Sequence, residues 1–216
     1  MIAGDPPLRD VRAVLFDLDG TLIDALESHF RVFARVLAAF DVRLEQHAFK
    51  RHYSPNWYLF YKRMGVPERR WPEADQLWLR YYAEEAPLGR DGAAEALAAV
   101  RASGRALGLI TAGDRSRVER DLRRMSWTSL FDVVVCAGDV LERKPHPAPL
   151  VHGLVRLEVP PAAAAYVGDT VEDMEMGRAA GVTTLGVLGG FSSRDALEST
   201  APWAVLHSLH DLIGLL

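Results

Sequence analysis

The sequence contains very little cysteine and no long apolar run, and each scarcity excludes a class of protein. Cys136 is the single cysteine among 216 residues, which excludes an internal disulfide framework and any CxxC redox or zinc pattern. It ends the apolar run Val133–Cys136, so we predict a small buried side chain there. No apolar run approaches the roughly 18 residues that a membrane-spanning helix needs. We therefore expect no cysteine-based metal or redox chemistry and no membrane span.

An excess of positive charge is also absent. The formal net charge is −4, so no overall positive field would attract nucleic acid or anionic lipid. The first ten residues, MIAGDPPLRD, are polar and lack the charged-then-apolar order of a signal peptide, and cytoplasmic residence is the default expectation. The composition, 49% hydrophobic and 25% charged, is that of an ordinary globular protein. The length allows one core with a smaller inserted lobe.

Two different rhythms of apolar residues divide the chain. Residues 1–24 and 89–216 show short apolar runs that alternate with helical patterns, which predicts a parallel sheet wrapped by right-handed crossovers. We predict a Rossmann-like α/β core from these two parts. Its expected strands are Val11–Phe16, Ala106–Ile110, Val133–Cys136, Ala163–Val167 and Thr184–Leu188. Its expected helices are Gly92–Ala102, Arg115–Met125, Pro147–Leu157 and Thr170–Ala180.

Residues 25–88 show no convincing strand. Apolar and aromatic side chains recur there at helical spacing, namely at Leu26, Phe30, Phe33, Leu37 and Phe40 and again at Leu77, Trp78, Tyr81 and Tyr82. We therefore predict a small helical lobe inserted into the α/β core.

Polar side chains stand where the predicted strands end. Asp17 and Asp19 follow the first strand, Thr111 the second, Lys144 the third after a loop, and Asp169 the fourth. Open parallel sheets bind ligands at the carboxyl ends of their strands, so these segments should converge. Close carboxylates repel one another unless a cation lies among them, and an all-oxygen site suits Mg²⁺. With a lysine and a hydroxyl, such a site can receive a phosphoryl group.

Simpler interpretations exist for each of these residues alone. Aspartates after strands are common in turns and as helix N-caps. A calcium loop at Asp17–Gly20 is a poor match, because its glycine comes fourth rather than sixth. Lys144 is more informative, since only three of the 25 basic residues Lys and Arg are lysines. In a chain so rich in arginine, a lysine before Pro145 suggests that this position requires a compact ammonium group and not a planar guanidinium.

The joint pattern resembles the haloacid dehalogenase superfamily. Members carry hhhhDxDGT, then a strand that ends in Thr or Ser, then a Lys that usually precedes Pro, then GDxxxD. The corresponding segments here are VLFDLDGTLID (14–24), LGLIT (107–111), RKPHP (143–147) and VGDTVEDMEMGRAAG (167–181). The four motifs occur in order and span the whole core, and the insert at 25–88 resembles the helical type-1 cap domain. The chain most resembles the phosphoglycolate-phosphatase-like members.

The resemblance implies a role for each matching residue. Asp17 would be the nucleophile, forming an aspartyl-phosphate that water cleaves, and Asp19 would protonate the leaving oxygen and then help to activate water. Thr111 and Lys144 would complete the catalytic set. Mg²⁺ would be held by the Asp17 carboxylate, the Asp19 backbone carbonyl and Asp169, with Asp173 ordering metal-bound water or Lys144. The phosphate-binding residues would be Asp17, Leu18, Asp19, Thr111, Ala112 and Lys144.

One departure from the family pattern concerns the second motif. Many phosphatase members follow the Thr or Ser with Asn, whereas this chain has Thr111-Ala112-Gly113-Asp114. The hydroxyl is kept, so phosphate binding is expected to persist. A neighbouring contact to the substrate is expected to differ.

The predicted function is a Mg²⁺-dependent phosphatase acting on a small phosphorylated metabolite. The main alternative is a phosphomutase for sugar phosphates, which uses the same residues but releases no net phosphate. Dehalogenases and phosphonatases of the superfamily usually lack an acid at the place of Asp19. A regulatory protein with an inactive site is disfavoured by the four intact motifs. Arg117, Arg120 and Arg124 lie on one face of a predicted helix, which is weak evidence for nucleic-acid binding. We expect a solvated arginine face instead.

Specificity should reside in the helical lobe, because the core contacts only the phosphoryl group that all substrates share. The segment Lys50–Trp57 is the best candidate to face the site, although Tyr53 and Trp57 could equally fill the interior of the lobe. The sequence does not identify the leaving group. It leaves both a monomer and a homodimer open.

Overall fold

The computed structural model describes residues 8–216, and its core is one parallel sheet of six strands in the order β3-β2-β1-β4-β5-β6. The initial MIAGDPP segment, used above to judge the N-terminus and counted in the predicted core, lies outside the described residues. The strands are β1 Ala13–Phe16, β2 Ala106–Asp114, β3 Val133–Ala137, β4 Ala164–Gly168, β5 Thr183–Val187 and β6 Ala204–Leu206.

Helices follow or separate these strands. The described residues contain α1 Leu26–Ala38, α2 Gln46–His52, α3 Trp57–Arg63, α4 Trp71–Tyr82, α5 Ala93–Ala102, α6 Arg115–Arg124, α7 Ala148–Leu157, α8 Val171–Ala180, α9 Arg194–Ser199 and α10 His210–Ile213, with 3₁₀ turns at Glu68–Arg70 and Pro161–Ala163. Within the part of the chain that the structure describes, no helix has both the length and the apolar character needed to cross a bilayer.

Strand β1 is the centre of the sheet and the point at which the strand order reverses. Its last residue, Phe16, lies level with Leu109 of β2 and Val167 of β4. Helices pack on both faces of the sheet, so all four residues of β1 are fully buried and apolar. A crevice forms where neighbouring connections leave the sheet in opposite directions. The loops after β1, β2 and β4 therefore meet at one edge.

Helices α1–α4 enclose a second hydrophobic cluster, separate from the clusters on the two faces of the sheet. The ring of Phe33 lies 4.7 Å from that of Phe60, and the rings of Trp57 and Trp78 are 4.1 Å apart. The chain enters and leaves this helical lobe at adjacent points, because the Asp24 amide donates to the Leu88 carbonyl at 2.9 Å. The assignment of residues 25–88 to a separate cap domain stays a prediction.

The α/β prediction is confirmed, with differences at the ends of elements. Strand β2 continues past Ile110 to Asp114, and β1 begins at Ala13 rather than Val11. The short edge strand β6 was not predicted. Cys136 is 2% exposed, which confirms the prediction of a buried side chain.

Candidate active site

The loop after β1 carries two aspartates with different partners. The Asp17 amide donates to the Val167 carbonyl at 2.9 Å, which ties the start of the loop to β4. Gly20 then turns the chain with φ +85°, and a Cβ at that position would overlap the Asp169 carboxylate. Glycine is required here both by the left-handed backbone and by the close approach of Asp169.

Lys144 lies at the centre of a buried network of oxygen atoms. Its Nζ donates to Asp17 Oδ1 at 2.6 Å, to Asp173 Oδ1 at 2.8 Å and to the Tyr166 hydroxyl at 2.8 Å. Burial by itself would lower the pKa of Lys144, but the two carboxylates outweigh it and raise that pKa above its ordinary value. The lysine is therefore a fixed positive charge in contact with Asp17.

Asp17, Asp169 and Asp173 form a cluster of buried carboxylates whose ligand oxygens lie within 4.8 Å of one another. Asp169 is oriented by the Thr21 hydroxyl at 2.7 Å and the Phe191 amide at 2.8 Å. Burial, with the nearby charge of Asp173, raises the pKa of Asp169 to about 7. Burial also raises the pKa of Asp17, against the opposing effect of Lys144.

The cluster brings three buried carboxylates together, and the single ammonium of Lys144 lies between two of them. A hard divalent cation with oxygen ligands fits such a site. The carboxylates of Asp17 and Asp169 could hold it, with Asp173 beside them. The side chain of Asp19 is outside the cluster, and the expected contribution of its backbone carbonyl stays a prediction.

Asp19 is paired with a residue that we did not assign to the site. Arg117 donates from Nη1 to Asp19 Oδ1 at 2.7 Å and from Nη2 to Asp19 Oδ2 at 2.5 Å. Burial would raise the pKa of Asp19, but Arg117 and His29 override it and hold the pKa of Asp19 below its usual range. Asp19 is thus a carboxylate in the described arrangement.

The expectation of a solvated arginine face on α6 is wrong for Arg117, which is 4% exposed. Arg120 is half-buried and Arg124 is exposed. All three approach the buried carboxylate of Asp121, Arg117 at 3.5 Å, Arg120 at 3.0 Å and Arg124 at 3.6 Å. The signal that could have found Arg117 is its place in the first turn of a helix that starts directly after the second motif.

His29 is a second neighbour of Asp19 that we did not identify. It belongs to α1 and is 1% exposed, and its Nε2 lies 3.5 Å from Asp19 Oδ1. Neither ring nitrogen has a hydrogen-bond partner. Most buried polar side chains are hydrogen-bonded, so the approach to the Asp19 carboxylate is the polar contact that accounts for His29 in this position.

Two of the remaining predicted residues, Thr111 and Ala112, line a small cavity beside Asp17 and Asp19. Thr111 is 4% exposed, and its Oγ1 accepts a hydrogen bond from the Gly113 amide at 3.0 Å. Ala112 lines the cavity together with Thr111, Asp17 and Asp19, whereas the Leu18 side chain is fully buried in the core. The structure therefore brings the predicted loops to one place. The phosphate contacts of these loops stay predictions.

The helical lobe supplies the opposite wall of the cavity. Tyr53, Pro55 and Trp57 line it across from the aspartates. Tyr53 stacks on Phe191, which follows β5, with ring centroids 3.8 Å apart. Trp57 also packs against Trp78, so both interpretations of this segment hold: it fills the interior of the lobe and faces the site. A larger cavity of about 700 Å³ shares Tyr53 and Thr170 with the smaller one.

Comparison with known proteins agrees with this geometry. The family model described as haloacid dehalogenase-like hydrolase matches residues 14–187. The chain belongs to this family. A phosphoglycolate phosphatase of Shigella boydii serotype 4 (strain Sb227) is 31% identical over 237 residues, covering 96% of this chain and 93% of the relative. The predicted family and the predicted enzyme class, a phosphatase-type hydrolase, are confirmed.

Solved structures of the family share the fold. A protein of Haemophilus somnus 129PT, described as a predicted phosphoglycolate phosphatase, superposes with a TM-score of 0.85 at 20% identity, covering 95% of this chain and 98% of that one. A Thermotoga maritima protein assigned as a β-phosphoglucomutase gives a TM-score of 0.72 at 23% identity, covering 95% and 98%. At these identities, the two structures confirm the fold of this chain and do not discriminate between activities.

Proposed function

We propose that this protein is a Mg²⁺-dependent phosphatase that hydrolyses a small phosphorylated metabolite through an aspartyl-phosphate on Asp17, in the manner of a phosphoglycolate phosphatase. The observation that carries the proposal is the pairing at the carboxyl end of β1. Asp17 contacts a buried lysine, and Asp19, two residues later, contacts a different cation. The two carboxylates thus have separate environments, as a nucleophile and a proton carrier require.

The nucleophilic step belongs to Asp17. One of its carboxylate oxygens attacks phosphorus, and the bond from phosphorus to the leaving oxygen breaks as Asp19, protonated for this step, gives its proton to the departing alcohol. Lys144, 2.6 Å from Asp17, offsets the charge carried by the phosphoryl oxygens. The Thr111 hydroxyl lines the same cavity and supports binding of the phosphoryl group. A bound Mg²⁺ would supply further charge neutralisation at these oxygens.

The second step is the hydrolysis of the aspartyl-phosphate. A water molecule must lose a proton as it attacks phosphorus, and the ionised Asp19 carboxylate is the form that accepts one. The product is inorganic phosphate, and Asp17 is regenerated. Tyr53 and Trp57 line the cavity together with Asp17 and Asp19, so a leaving group at this site would meet the helical lobe.

The test is phosphate release from a panel of phosphorylated metabolites by the purified protein. The panel contains phosphoglycolate, sugar phosphates, nucleoside monophosphates and pyrophosphate. We expect Mg²⁺-dependent release with phosphoglycolate among the best substrates, and none from the Asp17→Asn variant. Conversion of a sugar phosphate without net phosphate release would establish a phosphomutase instead. Full activity in excess chelator would exclude the proposed mechanism.

A further inference from the structure

The guanidinium of Arg117 occupies both oxygens of the Asp19 carboxylate. The two contacts, 2.7 and 2.5 Å, are parallel and use separate nitrogens. The side chain of Arg117 is 3% exposed and that of Asp19 is 10% exposed. A fork of this kind fixes the plane of a carboxylate as well as its position, which a lysine cannot do.

Local sequence places Arg117 in this position. Asp114 caps helix α6 by accepting from the Ser116 amide at 2.9 Å, so Arg117 falls in the first turn, directly beside the end of β2. Gly113 leaves the space that the guanidinium needs, because a Cβ at 113 would overlap Arg117 Nη2. Gly113 is thus explained by the arginine that reaches past it.

The other side of the guanidinium is covered by the helical lobe. The charged group lies 5.1 Å from the ring centroid of Tyr82 and 5.8 Å from that of Trp78, both on α4. Asp121, on the same helix as Arg117, accepts from the Tyr82 hydroxyl at 3.2 Å and lies 3.5 Å from Arg117 Nη1. Aromatic rings over the pair exclude water, and a buried charge pair is stronger for that reason.

We propose that Arg117 is a positioning residue for the phosphatase reaction, holding the Asp19 carboxylate in the direction from which it accepts the proton of the attacking water. The proposal rests on the function proposed above, in which Asp19 assists hydrolysis of the aspartyl-phosphate. Without Arg117, Asp19 would be free to rotate in its loop. The water step would then slow, while attack by Asp17 on a substrate whose leaving group needs no proton would proceed as before.

A double-mutant cycle with nitrophenyl phosphate tests this role. Nitrophenolate leaves without needing a proton, so its release reports attack by Asp17 alone. We expect Arg117→Met to show a pre-steady-state burst of nitrophenolate at the wild-type rate, followed by turnover slowed on the order of 100-fold. KM for the phosphorylation step should change little. Because Arg117 acts through Asp19, adding Arg117→Met to Asp19→Asn should cause no further loss.

Two variants serve as controls. Arg120→Met removes a neighbouring arginine that contacts Asp121 and the Tyr82 carbonyl but not Asp19, and its turnover should stay within about twofold of wild type. Arg117→Lys keeps the charge without the fork and should recover only part of the lost turnover. If Arg117→Met does not fold, Gly113→Ala displaces the guanidinium by another route and should show the same slow second phase.

The outcomes separate this inference from the proposed function. If wild-type protein forms no aspartyl-phosphate, the function itself fails. If wild type turns over normally but the losses of Arg117→Met and Asp19→Asn multiply, Arg117 does not act through Asp19 and the inference is wrong. Loss of the burst in a folded Arg117→Met variant would also overturn it, because the residue would then serve Asp17 or the general fold.

Discussion

At the scale of single residues, the site separates two aspartates by giving each its own cation. Asp17 contacts Lys144 and belongs to the carboxylate cluster. Asp19 contacts Arg117, and its side chain lies outside that cluster. The chemistry proposed for them differs in the same way, since one attacks phosphorus and the other moves protons. Substitutions at the two positions should therefore impair different steps of the reaction.

The two isosteric variants Asp17→Asn and Asp19→Asn test this division. Asp17→Asn removes the nucleophile, so enzyme phosphorylation should vanish for every substrate. Asp19→Asn should still give a nitrophenolate burst of about one equivalent per site, then slow turnover, with very little phosphorylation by an alkyl phosphate whose leaving group needs a proton. Rapid-quench measurements check this result. If both folded variants lack the burst while still binding Mg²⁺, the division between the two aspartates is wrong.

The carboxylate cluster makes the stability of the metal-free protein depend on pH. Burial and Asp173 raise the pKa of Asp169 from its ordinary 3.8 to about 7, so the folded state binds a proton more tightly than the unfolded chain. Stability should then fall as the pH rises from about 4 to 7 and should level off above. Thermal melts in chelator should show a lower Tm at pH 8 than at pH 5, with Mg²⁺ raising the Tm more at pH 8.

The matched control is Asp169→Asn, which removes the titrating group. Its Tm in chelator should vary less between pH 5 and pH 8 than that of wild type, and Mg²⁺ should have a smaller effect. A wild-type Tm that rises over this interval in chelator would contradict the assigned charge balance.

At the scale of elements, helix α8 links its own capping to the active site. Thr170 and Asp173 form a capping box, in which the Thr170 Oγ1 accepts from the Asp173 amide and the Asp173 Oδ2 accepts from the Thr170 amide at 3.1 Å. The other oxygen of Asp173 contacts Lys144. Asp173, whose side chain completes the capping box, therefore also holds the lysine beside Asp17.

Thr170→Val keeps the shape of the side chain and removes its hydroxyl. We expect a loss of about 1 kcal/mol in the free energy of unfolding, the usual cost of a lost N-cap, together with reduced phosphate release because Asp173 loses one of its fixed partners. Denaturant unfolding and steady-state assays measure the two effects. Thr170→Ser, which keeps the hydroxyl, is the control and should preserve both properties.

The elements also show why parts of the structure could be predicted from the sequence and others could not. Strand β1 and the loops after it were predictable, because a fully apolar run followed by Asp17-Leu18-Asp19-Gly20 has few other solutions in a parallel sheet. Strand β6 lies at the edge of the sheet and is only three residues long. A segment this short shows no recognisable apolar pattern in the sequence. Arg117 was missed because its burial depends on Asp121 and α4, contacts that local pattern does not encode.

At the scale of the whole molecule, the helical lobe covers the site and is joined to the core by two adjacent chain segments. Its contacts with the core include the Tyr53–Phe191 stack and the bond from Arg120 to the Tyr82 carbonyl. A lobe that is joined to the core by only two chain segments on one side can open and close over a site. We expect substrate or a phosphate analogue to favour closure.

Small-angle scattering measures this change directly. With Mg²⁺ and a phosphate analogue, the radius of gyration should be smaller than in the free protein, because the lobe closes over the sheet edge. Asp17→Asn, which lacks the nucleophile and one proposed metal ligand, should respond less. An unchanged scattering profile on addition of Mg²⁺ and analogue would count against closure.

The position of β1 has a consequence for how the chain folds during synthesis. Ala13 pairs with Ala106 on one side and Ala164 on the other, so the first strand is made long before either of its partners leaves the ribosome. Contacts this distant in sequence form late and slowly. The lobe, whose helices are neighbours in sequence, can pack first. A nascent chain thus carries an unpaired run of four apolar residues until β2 has been made, and the central strand of the finished sheet is a segment that needs early protection from aggregation.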